Sequence, residues 1–121
     1  MSNIPEQLSA AMTIDGALGA AVVDYTSGMT LGTEGGGTAL DLETAAAGIT
    51  DVVRAKIRVI ELLGQNDNIE DILVTLTSQY HLLRPIAGGE GLFLYLVLSR
   101  DRGNLALARR TLSGIERSLV V

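Results

Sequence analysis

The run Leu92-Phe93-Leu94-Tyr95-Leu96-Val97-Leu98 decides the architecture. Successive side chains of a strand point to opposite faces, so a strand apolar at every position has to be covered on both sides. Ala17-Leu18-Gly19-Ala20-Ala21-Val22-Val23-Asp24 is small or apolar on both alternating sets and reads the same way. Two such strands require helices on both faces of one sheet.

Working outward, Gly88-Gly89-Glu90-Gly91 is a turn and Gln79–Ile86 is the strand before it. Ser78 turns into Ile69–Thr77, which alternates. Ile72, Val74 and Leu76 share one face, and Asp71, Leu73, Thr75 and Thr77 share the other, as expected of a half-covered strand near a sheet edge. Upstream, Thr26-Ser27-Gly28 joins the Ala17–Asp24 strand to a shorter one, Met29–Thr33, followed by a loop at Glu34-Gly35-Gly36-Gly37-Thr38. Short turns between consecutive strands imply antiparallel pairing.

Three helices complete the pattern. Ser2 or Asn3 caps the first, with Pro5 and Glu6 in its first turn and Ile4, Leu8, Ala11 and Met12 at helical spacing. Asp41 caps a long helix to about Leu63, stopped by Gly64. Asn104 caps the last, whose stripe is Leu105, Ala108, Leu112, Ile115 and Leu119. The expected class is α/β of the α+β type, in the order α-β-β-α-β-β-β-α. A five-stranded antiparallel sheet carries helices on both faces within one domain, residues 1–121.

Composition narrows the function. The 121 residues are 47% hydrophobic but only 3% aromatic, so the core is built from Leu, Ile, Val and Ala. There is no cysteine and one histidine, which excludes thiolate chemistry, disulfides and two-histidine metal sites. The net charge of −5 argues against nucleic acid as a partner. Residues 1–53 hold no Lys or Arg and seven acids, and all nine basic residues follow from Arg54 onward. The first twelve residues lack the charge and apolar run of a secretory signal, and no stretch is long enough to span a membrane. A cytoplasmic protein is expected.

Chemistry-bearing motifs are weak. Gly32-Thr33-Glu34-Gly35-Gly36-Gly37 lacks the Gly-Lys-Ser/Thr ending of a phosphate loop, and its one charge is acidic. His81 stands mid-strand with no nucleophile or carboxylate assigned to it. Asp41/Glu43 and Glu70/Asp71 could meet a hard cation, but capping and edge protection account for them better. No catalytic, cofactor-binding or metal-binding residue is assigned.

The long helix has more apolar surface than one contact needs, with an arc of roughly 160° on a helical wheel. It serves either a broad contact with a twisted sheet or two separate surfaces. Leu42, Ala46, Val53, Ile57 and Ile60 form one half, expected to face the chain's own sheet. Full burial of Ile57 would make its truncation to Ala cost about 2–5 kcal/mol. Ala45, Ile49, Val52, Lys56, Val59 and Leu63 form the other half, and Glu43, Thr50, Asp51, Arg54, Arg58 and Glu61 lie opposite, in water. Lys56 marks the second half as the less enclosed one, because its stem can lie along an apolar seam while its ammonium reaches water. That half is expected to face a symmetry mate, with Ile72, Leu73, Val74 and Thr75 offering an edge for pairing.

The sequence resembles a roadblock/dynein light chain domain of the bacterial and archaeal branch. Gly16–Asp24 with Gly28-Met29-Thr30-Leu31-Gly32 is similar to the first hairpin of that family, whose fold is profilin-like. Tyr80–Ile86 resembles its fourth strand, and Leu94–Leu98 with Asn104–Arg109 its last strand and final helix. The resemblance implies a protein that is not an enzyme. It implies a dimer in which second helices pack together and third strands pair across a two-fold axis. It also implies a Ras-like small GTPase as partner, regulated or scaffolded in signalling. No residue matches a catalytic arginine finger. Without an extension outside the domain, a stand-alone adaptor is expected. The alternative is a small-ligand sensory or scaffold domain, whose site would draw on Tyr25, Tyr80, Phe93 and Tyr95.

Overall fold

The computed structural model describes residues 2–87 and 91–121. Among them the elements are α1 (Ile4–Ala11), β1 (Ala17–Asp24), β2 (Met29–Gly35), α2 (Leu42–Leu62), β3 (Ile72–Thr75), β4 (Gln79–Pro85), β5 (Leu92–Ser99) and α3 (Leu105–Ser118). The strands form one antiparallel sheet in the order β2-β1-β5-β4-β3. The expected order of elements and the two-sided cover are both present.

The apolar run that decided the architecture is the middle strand. Leu92, Leu94, Leu96 and Leu98 join Ile4, Leu8, Ala108, Leu112 and Ile115 under α1 and α3. Phe93, Tyr95 and Val97 point the other way, to Leu42, Ala46 and Val53 of α2. Strand β5 is thus buried from Leu92 to Leu98 because each face has its own helical cover.

Local chemistry fixes the ends of the helices. Asp41 accepts from the Thr44 N–H at 3.2 Å and the Thr44 hydroxyl at 2.8 Å, and these bonds hold its carboxyl below the usual range. Asn104 accepts from Leu107 N–H at 3.0 Å. Asn3 occupies the cap position of α1 but does not cap. Its amide donates to Ser118 O at 2.8 Å and accepts from Val120 N–H at 2.6 Å, clasping the chain's two ends together, while Ser2 Oγ takes the Ile4 N–H. The turn before β1 lies on the turn after β5. Gly16 has φ +85° there, and a Cβ on it would stand 2.7 Å from Gly103 N, so only glycine fits.

Several expectations are corrected. Strand β3 is shorter than Ile69–Thr77: Leu76 N–H closes the turn onto Gln79 O, and the Asp71 carboxylate is drawn to Arg109 of α3. Strand β2 runs on to Gly35, because Glu34 and Gly35 still pair with Ala20 and Gly19. Thr50 is 1% exposed rather than in water, since its hydroxyl donates to Ala46 O at 2.8 Å and needs no solvent. Ile57 is only half-buried, and Val53 is the deeply buried member of its half-arc. The turn expected at Gly88-Gly89-Glu90 lies outside the described residues.

Candidate interaction surface

Helix α2 is fastened along the β1–β2 side of the sheet. Arg54 Nε donates to Tyr25 O at 2.6 Å, and its Nη2 donates to Thr26 O, on the turn between those strands. With Leu42, Ala46, Thr50 and Val53 buried, the helix turns its opposite side to solvent. That side is not polar. Ala45, Gly48, Val52, Ala55, Val59 and Leu62 recur at alternating spacings of three and four, as in a seam between two helices. Val52 is 40% exposed, Val59 42%, Leu62 77% and Leu63 62%.

The expected interface residues divide across this geometry. Ala45 and Ile49 are half-buried and pack against the core beneath α2. Val52, Lys56, Val59 and Leu63 are exposed. Gly48, Ala55 and Leu62 belong to the same outward seam and are missed by the sequence reading, because they fall just beyond the edge of the apolar arc it counted. Their spacing relative to Val52 and Val59 was the available signal.

At the other end of the sheet, β3 is an edge strand. Ile72 is half-buried toward the α2 side and Leu73 toward the α3 side, with Val74 half-buried and Thr75 exposed. Asp71 does not guard this edge. Arg109 holds both its oxygens, at 2.9 and 2.7 Å. The backbone groups of β3 that face away from β4 stay open to a further strand.

Next to β3, the α2 side of the sheet carries a polar chain. The Gln79 side-chain oxygen lies 2.9 Å from His81 Nε2, and Tyr95 Oη lies 2.9 Å from His81 Nδ1. An amide oxygen only accepts, so Nε2 carries the proton, Nδ1 accepts, and the Tyr95 hydroxyl donates. Burial pushes the Tyr95 hydroxyl up to about 12 and the His81 imidazole down from its ordinary value. The unfolded chain therefore takes up a proton near the ordinary histidine value, while the folded chain resists it until lower pH. Stability should fall as pH drops through that window and level off below the folded value. Urea midpoints at pH 7.5 and 5.5 check this, and His81→Gln should remove this component of the slope.

The other motifs do not assemble a catalytic centre. Asp41 is engaged as a cap and Asp71 by Arg109, and among the described residues no three His, Asp or Glu side chains cluster as metal ligands would. The aromatic side chains do not converge on one cavity. Phe93 and Tyr95 are core, Tyr25 stacks on Phe93 with centroids 6.4 Å apart, and Tyr80 lies under the Arg100 guanidinium. Among the described residues, no helix is long and apolar enough to cross a membrane.

No protein-family model and no curated protein matches the chain. Solved structures do. A roadblock/LC7 domain from Streptomyces avermitilis superposes with a TM-score of 0.81 at 16% identity, covering 97% of this chain and 94% of that one. MglB of Myxococcus xanthus gives 0.80 at 14% identity, covering 97% and 86%. The gliding protein MglB of Thermus thermophilus gives 0.70 at 20% identity, covering 95% and 89%. The element order, the five-stranded sheet and the helices on both faces are thus those of a roadblock/LC7 domain, and this chain has the roadblock/LC7 fold.

Proposed function

We propose that this single domain is a non-enzymatic, homodimeric adaptor that binds and regulates a Ras-like small GTPase. The observation that carries the reading is the apolar outward seam of α2, where Val52, Val59 and Leu62 are exposed and fill no part of the core. The seam is self-complementary. A second copy can be placed antiparallel across a two-fold axis that passes midway between Val52 and Ala55. Ala45 then meets the partner's Leu62, Gly48 the partner's Val59, and Ala55 the partner's Val52, each small residue opposite a large one. An open β3 edge fits the same two-fold arrangement by continuing the sheet.

The GTPase half of the reading rests on the family resemblance of the sequence, with which the roadblock/LC7 fold agrees. Its test is binding. Purified chain should retain a Ras-like GTPase from its own genome in one nucleotide state more than in the other. Equal failure with every such GTPase, in both states, would remove this half and leave the dimer standing.

A further inference from the structure

Beyond the seam, the surface carries a further concavity. It is a groove of about 660 Å³ between the end of α2, the 64–71 connection and the end of β4. Ile57, Ile60, Ile69 and Ile86 give it an aliphatic floor, and Glu61, Asp67 and Glu70 stand around it. Its one basic side chain is already spent. Arg84 Nε donates to Glu116 Oε1 at 2.7 Å, and the other oxygen of Glu116 takes the Ala87 N–H at 2.9 Å. Among the described residues, Glu61, Asp67 and Glu70 form no ion pair.

The helix adds to the negative field. A helix C-terminus carries about half a negative charge and favours basic residues in its last turn. Helix α2 has none there, and Glu61 sits in that turn instead. An acid beside a negative helix end is unfavourable in the isolated chain and is relieved by a cation brought from outside. The groove thus combines an aliphatic floor, which a hydrated inorganic ion does not use, with a rim that is negative at Glu61 and Asp67, while Glu70 also stands near the arginines of α3.

We propose that this groove docks a segment of a protein partner in which aliphatic residues alternate with lysine or arginine. The aliphatic side chains cover Ile57, Ile60 and Ile69, and the basic ones reach Glu61, Asp67 and Glu70. This surface is separate from the outward seam of α2, so its test is independent of the dimer and of the GTPase.

The probe is a fluorescein-labelled peptide of alternating leucine and lysine, measured by anisotropy with the full chain. Glu61→Gln, Asp67→Asn and Glu70→Gln combined should weaken binding about tenfold, as loss of a few exposed charge contacts allows. Glu6→Gln, Asp15→Asn and Glu34→Gln combined change net charge equally but lie outside the groove, and should change binding less than about twofold, since salt screens distant charges. A serine–lysine peptide should bind the parent more weakly than the leucine–lysine one. With unmodified protein, the peptide should shift the amide resonances of Ile60, Ile69 and Glu70 most. Equal loss in both triple variants, equal binding of the two peptides, resonance shifts centred elsewhere, or no binding by the parent would each overturn the proposal.

Discussion

Phe93→Ala should destabilise the fold by about 3–5 kcal/mol, the usual cost of emptying a buried aromatic site. Phe93 is fully buried on β5, pairs across the sheet with Val23 and Pro85, and supports Tyr25 by stacking. Few neighbours can collapse into the space, because the middle strand is held by β1 on one side and β4 on the other. Domains of this kind have only about 5–15 kcal/mol in total, so a large fraction of the stability goes with this one ring. Urea melts give the number. Ile57→Ala is the comparison: half-buried at the rim of the α2 contact, it should fall below about 2 kcal/mol. A Phe93 variant no less stable than the Ile57 variant would contradict the assignment of β5 as the two-faced centre of the sheet.

Val52→Asp should convert the proposed dimer to monomer with little effect on the monomer's own fold. In the free chain Val52 is 40% exposed, so an aspartate there stays solvated. In the proposed dimer it would be pressed against the partner helix, and burying an unpaired carboxylate is costly. Each dimer carries the change twice, so about 1.5 kcal/mol per copy already raises the dimer Kd roughly a hundredfold. Sedimentation of the variant measures it.

The two-faced strand β5 and its partner β1 were legible because burial on both sides leaves no charged residue inside either run, and hairpin turns left little choice of topology. Thr50 was misplaced because a wheel ranks residues by polarity and cannot see a hydroxyl bonding back to Ala46 O within the helix. The extent of β3 was overestimated because alternation continues through Asp71, whose side chain answers to Arg109, distant in sequence. The outward seam was partly legible. Val52, Val59 and Leu63 announced themselves by size, whereas Gly48 and Ala55 matter only once the helix is seated and its free side is known. The acid-rimmed groove was not legible at all, since it gathers α2, the 64–71 connection, β4 and α3 from separate parts of the chain.

If the free side of α2 is the self-association surface proposed for it, the mass of the unmodified protein in solution will show it. Size-exclusion chromatography with light scattering, at tens of micromolar chain, should return twice the chain mass. A particle of a single chain's mass at that concentration would contradict the account.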